Sequence, residues 1–168
     1  MKGRFRLFIC VILTASLVGL PKPASAIDAD LEGLRTVSIL IEELDKGAQD
    51  EQITKQMLED QVVVAIRSKA PKLRYDSHSL PYLYVHLQIL SGPSYAGYLT
   101  LELTRPVEVL IGTDYPGQSP SKRKWTEASI WKGGYIFKGP RGTAAEDVRS
   151  ALDRLLESFL AAYYRSNP

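Results

Sequence analysis

Three short stretches hold the residue types that could do chemistry. The first is "GYIFKGPRGTAAE", residues 134–146, with glycines five apart, a lysine and an arginine. A phosphate-binding loop of the G-x-x-x-x-G-K-[ST] type needs a lysine for the β/γ-phosphates and a hydroxyl for magnesium, cradled by backbone amides. Gly134 and Gly139 keep the spacing, but Pro140 and Arg141 stand where the lysine and hydroxyl belong. Pro140 also lacks the N–H such a cradle uses. Thr143-Ala144-Ala145-Glu146 reads instead as a capping box, with the threonine oxygen on the N3 amide and the glutamate reaching back. Residues 139–142 are then the turn before a helix, and Arg141 at its N-terminus allows no more than a weak anion contact.

The second stretch is "DSHS", in which His78 has Asp76, Ser77 and Ser79 as neighbours. These types form hydrolase triads, but a triad is a spatial arrangement that sequence neighbours rarely make. No G-x-S-x-G elbow occurs. The sequence reads here as a polar loop before Pro81, and a small hydrolase built on His78 or His86 is the alternative reading of function. The third stretch is "YLYVHLQIL", with His86 at mid-strand on its polar side. Two histidines and a single cysteine argue against a transition-metal site, and no cofactor is implied. The acids in "EELD" and "LEDQ" lack calcium-loop spacing and read as solvated faces. "SKRK", residues 121–124, reads as an exposed basic loop.

Hydrophobic periodicity predicts the elements that must position these groups. A strand is expected over 34–44, with Val37, Ile39 and Ile41 on one face, followed by a break at "DKGAQD". A helix is expected over 51–69, where Ile53, Met57 and Val64 fall within about 40° of one another. "VVVAI" is β-branched, yet no turn separates it from that helix, so it is kept helical; Pro71 ends it. In residues 82–90, Leu83, Val85, Leu87 and Ile89 face one way, and Tyr82, Tyr84, His86 and Gln88 the other. "SGPSYAG" is a turn. Residues 98–104 repeat the alternation with Leu99, Leu101 and Leu103 inside. Pro106 marks a bulge or an edge, beyond which "VEVLI" continues the strand. Residues 112–124 form a turn-rich loop, and 124–137 hold one more strand or two short ones. Val148, Leu152, Leu155, Leu156, Phe159 and Tyr163 recur on one face of a final helix. The expected fold is α+β: a two-layer sandwich of order β-α-β-β-β-α. Its four-stranded, mostly antiparallel sheet has two helices on one face.

The sheet face without helices then becomes the candidate surface. If Thr126, Ala128 and Ile130 point inward, Trp125, Glu127, Ser129 and Trp131 point outward. That face gathers Tyr82, Tyr84, Tyr98, Trp125 and Trp131 around His86, Gln88, Thr100 and Glu102. Strand propensity alone does not require so many rings, and Trp and Tyr are enriched at recognition surfaces.

Residues 1–26 read as a secretory signal peptide rather than as part of the domain over 27–168. Lys2, Arg4 and Arg6 precede an apolar run over 7–20, and Ala24-Ser25-Ala26 supplies small residues before a cleavage point. The run is shorter than the roughly 20 residues of a membrane span, so no stable span is expected after cleavage. Cys10, the only cysteine, lies within the run rather than at its end, which argues against a lipid anchor. The segment also holds Lys22. Removing its four basic residues from the 21 Lys and Arg leaves 17 against 19 Asp and Glu, a net charge of −2. Nothing in that balance favours nucleic acid as a partner.

On "YLYVHL", "WTEASIWKGG" and the ending "VRSALDRLLESFLAAYYRSNP", the chain resembles a group of uncharacterised exported bacterial proteins of similar length. The resemblance carries over no catalytic residues. The element order is also similar to that of the lipopolysaccharide-assembly lipoprotein of the outer membrane, a likeness of topology only, since the lipid-attached cysteine is lacking. The expectation is a periplasmic or secreted, non-enzymatic binding or envelope-assembly module, with an envelope protein or a glycan or lipid component as partner. N-terminal sequencing of the exported form should begin at Ile27; an uncleaved chain in the membrane pellet would contradict this.

Overall fold

The alternation of the Tyr82–Leu90 strand has a direct structural result. Leu83, Val85, Leu87 and Ile89 are all at most 2% exposed, while the residues between them are half-buried or exposed. A computed structural model describes residues 31–111 and 122–168. The proposed signal segment, Cys10 and the loop over 112–121 lie outside the described residues.

In chain order the elements are β1 (Thr36–Ile41), α1 (Lys46–Asp50), α2 (Lys55–Lys69), β2 (Arg74–Tyr75), β3 (Tyr82–Leu90), β4 (Ser94–Ile111), β5 (Lys122–Pro140) and α3 (Ala144–Ser166). The α+β expectation holds. The sheet has five strands in the order β2-β1-β3-β4-β5 rather than four. The added strand is the two-residue β2, parallel to β1 with Thr36 opposite Arg74. β1 is also parallel to β3, and the remaining pairs are antiparallel, so the sheet is mixed.

The "DKGAQD" break proves to be a third, short helix. Asp45 Oδ1 accepts from Ala48 N at 2.7 Å and caps α1. Its other oxygen accepts from Ile89 N at 2.8 Å, on the edge of β3 beyond its pairing with β1. One carboxylate therefore holds α1 against the end of β3. Gly47 makes the approach feasible, because a Cβ there would lie 1.9 Å from Ile89 O.

α2 begins at Lys55, not at residue 51, with Thr54 Oγ1 accepting from Met57 N at 3.1 Å. Its buried face is Leu58, Val62, Ala65 and Ile66, at steps of four, three and one. The expected Ile53–Met57–Val64 stripe is not that face. Val64 is 63% exposed, and Ile53 is buried in the turn before the helix. The β-branched run supplies the contact with the sheet, which the incomplete stripe concealed.

The turn after β3 is shorter than expected. β4 starts at Ser94, and Tyr95 is buried. Gly97 belongs to the strand, where a Cβ would stand 2.3 Å from Phe137 Cε2, so its missing side chain houses that ring. Beyond the Tyr82–Thr104 pair, β4 and β5 continue alone as a two-stranded ribbon, 105–111 against 122–128. β5 is one strand carrying a bulge: Leu103 faces Trp131 and Thr104 faces Ser129, so Ile130 has no opposite residue.

α3 buries the expected face. Val148, Leu152, Leu155, Leu156, Phe159 and Tyr163 are each at most 5% exposed, with Phe159 edge-on to Trp131 at 5.3 Å. The capping box at its start does not form. Thr143 has helical backbone angles (φ −106°, ψ −2°), and its hydroxyl donates back to Pro140 O at 3.1 Å. The preceding turn is secured instead by Glu51, whose Oε2 accepts from Gly142 N at 3.0 Å. At the far end, Asn167 Oδ1 accepts from Gly33 N at 2.9 Å, and its Nδ2 donates to Leu31 O at 2.8 Å.

Asp45→Ala removes a cap and a strand-edge partner together and should lower the unfolding free energy by about 1–3 kcal/mol. Thr143→Ala, which removes no cap, should cost less in the same urea denaturation series. The reverse order would contradict these cap assignments.

Candidate functional site: the helix-free face of the sheet

In a paired sheet, residues opposite one another share a face, so the register fixes the outer surface row by row. Ser38, Tyr82, Thr104 and Ser129 form one row, and Leu40, Tyr84, Glu102 and Lys132 the next. His86, Thr100 and Gly134 follow, then Gln88, Tyr98 and Ile136, and last Leu90, Ala96 and Lys138. Trp125, opposite Glu108, continues this face along the ribbon.

The middle of the face is a set of mutually satisfied polar groups. Tyr84 Oη donates to Glu42 Oε2, and His86 Nε2 lies 3.5 Å from the same oxygen. Glu102 and Lys132, directly opposite each other, pair at 2.7 Å. The hydrogen bond to Glu42, and then burial, push the Tyr84 phenol up to about 12. For Tyr82 burial comes first and a hydrogen bond to Glu127 second, with the same result of about 12. In both cases a neighbouring carboxylate and poor solvation disfavour a phenolate. Between these larger groups, Thr100 and Thr104 are closed off at 2% and 8% exposure.

The ends of the face are apolar and open. Ile136 is 78% exposed, Leu90 73%, Trp125 67% and Leu40 49%. Tyr98 lies across Gly134. A Cβ at 134 would be 3.2 Å from its Oη and 3.3 Å from its Cε2, so the ring rests on the bare backbone with its other side outward.

Of the aromatic residues expected on this face, Tyr82, Tyr84, Tyr98 and Trp125 are there, beside His86. Trp131 is not: it is 3% exposed and packs on Phe159. The bulge at Ile130 is the cause, because one extra residue reverses the parity of everything after it. The same reversal brings Ile136 outward. Thr126 and Ala128 are not buried, since the ribbon runs past the neighbouring strand that would cover them. Leu40 and Leu90 were legible in the alternation of their strands, whereas nothing in the local sequence signals Ile136.

The hydrolase geometry does not assemble at His78. Asp76 Oδ1 accepts the His78 backbone amide at 3.0 Å, so the carboxylate closes a turn instead of orienting the imidazole. The ring Nδ1 meets Ser77 Oγ of the adjacent residue at 3.0 Å. At His86 the ring Nε2 faces the Glu42 carboxylate at 3.5 Å, and the hydroxyl-bearing residue opposite it, Thr100, is closed off at 2% exposure. Near the start of α3, the Gly142 amide already has the Glu51 carboxylate as its anion. Among the described residues no group of His, Cys, Asp and Glu is placed to hold a metal, and no helix is long and apolar enough to cross a membrane. The chain matches no protein-family model, and no curated protein is significantly similar to it in sequence.

The Tyr82 and Tyr84 shifts set an alkaline limit. A phenol whose folded pKa exceeds its unfolded value of 10 contributes its stability in full below pH 10 and loses it as pH rises through about 12. Denaturation midpoints of the native chain should therefore fall between about pH 10 and 12. The Tyr82→Phe/Tyr84→Phe chain should show a shallower fall; parallel profiles would contradict the shifts.

Proposed function

We propose that this protein is a non-enzymatic binding module that engages a partner through the helix-free face of its sheet. The observation that supports this reading is the exposure of Leu90, Ile136, Tyr98, Leu40 and Trp125 on that single face. Exposed apolar side chains are ordinary when scattered, but a gathered set marks an interaction surface. Leu90, Ala96, Tyr98 and Ile136 are neighbours across three strands and form the apolar corner, edged by Lys138.

The chemistry of the face favours a protein surface over a glycan. Sugar recognition needs stacked rings with free polar groups beside them, and here the carboxylates nearest the rings already accept from Tyr82 and Tyr84. What remains available is aliphatic and aromatic area, the composition of the core of a protein–protein contact. The proposal includes export: residues 1–26 direct the chain to the envelope, where an envelope protein is the partner.

Tyr98→Ala with Ile136→Asp tests the reading. Both side chains project from the surface, so the melting temperature should stay close to that of the native chain, within about 0.5 kcal/mol per site. Proteins that co-purify with the native chain from envelope extract should be lost with the variant. Unchanged recovery, or a large drop in melting temperature, would remove this face as the binding surface.

A further inference from the structure

A second surface lies at the end of the sheet where the bulge sits, away from the open face. The segment before β1, the Leu80–Pro81 entry to β3, and the bulge surround a small crevice of about 230 Å³ open to solvent on one side. That is smaller than the roughly 300–1,000 Å³ of sites for drug-sized molecules, and leaves room for one narrow chain. Its apolar lining comes from Leu31, Leu34, Leu80, Leu103 and Ile130. Leu31, Leu34 and Leu103 are buried core residues, and Leu80 is 61% exposed beside the opening. Ile130 reaches the crevice because the bulge frees it from a cross-strand partner.

Arg35 and Arg105 belong to the same lining, and both are exposed. Neither forms a salt bridge among the described residues. Glu32 shares the lining and has a contact of its own. Two guanidinium groups without a salt bridge beside a partly apolar recess call for an oxyanion joined to an apolar body. Arginine forks bind carboxylates in a bidentate way, and charge-assisted bonds of this kind are stronger than neutral ones. A bare inorganic anion would leave the leucines unused, and a neutral alkyl group would leave the arginines unused.

We propose that this crevice binds a single-chain anionic amphiphile, a hydrocarbon tail ending in a carboxylate. The tail packs on Leu80 and Ile130 and the exposed edge of Leu34, with Leu31 and Leu103 as the buried floor beneath, and Arg35 and Arg105 hold the head. The site does not depend on the open-face reading, since it uses none of the residues exposed there.

Dodecanoate below its micellar concentration is the probe, with dodecyl maltoside and acetate as controls for tail and head alone. Calorimetry with the full chain should show one dodecanoate per protein, and no measurable binding of either control. Trp131 stands opposite Leu103, so in Trp125→Phe protein it is the one indole left to report occupancy by a change in emission. Arg35→Gln/Arg105→Gln should weaken dodecanoate by about tenfold or more while the melting temperature holds, as loss of charge-assisted bonds requires. Ile130→Glu, which places a carboxylate against the tail, should weaken it independently. Equal binding of dodecyl maltoside, competition by acetate at comparable concentration, or undiminished binding by the double arginine variant would each overturn the proposal.

Discussion

Leu83, Val85 and Leu87 of β3 stand opposite Leu103, Leu101 and Leu99 of β4, and the domain is arranged around this apolar layer. All six are at most 2% exposed. Buried side chains of this size contribute roughly 1.5–3 kcal/mol each, whereas surface ion pairs such as Lys55–Glu43 contribute about 0–1 kcal/mol. The layer must be covered, and α2 and α3 cover it. A strand has two faces, so covering one leaves the other to be settled by its own side chains. The open face is a direct consequence of where the helices went.

The bulge at Ile130 divides β5 into parts of opposite parity. It turns Trp131 into the core against Phe159, sends Ile136 to the surface, and leaves Ile130 at the mouth of the crevice. Glycines accommodate the result. At Gly133 a Cβ would meet Leu155 Cδ2 at 2.9 Å and Trp131 Cη2 at 3.0 Å, so a larger residue would push the indole off the helix. At Gly134, on the other side, the bare backbone receives Tyr98. The Gly133-Gly134 pair is thus a place where two large rings, one on each side, approach the strand closely.

Polar side chains fasten the elements that the apolar layer cannot reach. Asp45 joins α1 to β3, Glu51 ties the turn before α3 to the end of α1, and Asn167 fastens the segment before β1 to the end of α3. Each contact satisfies backbone groups that would otherwise be orphaned at a helix end or a sheet edge. Each spans dozens of residues, and in isolation each residue reads as an ordinary polar one.

The sequence by itself determined the parts governed by short-range period. These are the alternation of β3 and of residues 98–104, the apolar face of α3, the α+β class, and the outward placement of Tyr82, Tyr84, His86 and Tyr98. Period-2 and 3.6-residue patterns are properties of a few neighbouring residues, so they survive without knowledge of the fold. Tertiary structure alone decided the rest. A bulge depends on how two strands align and leaves no local mark, so the fate of Trp131 and Ile136 was settled by pairing with β4. β2 is too short to show a period and exists because β1 had a free edge. The Thr143 box was correct in spelling, but its hydroxyl found Pro140 O closer at hand while Glu51, distant in the chain, took the turn amide. The Glu51 contact exists only once folding brings residues 51 and 142 within hydrogen-bonding distance, and that distance is not written in either segment alone.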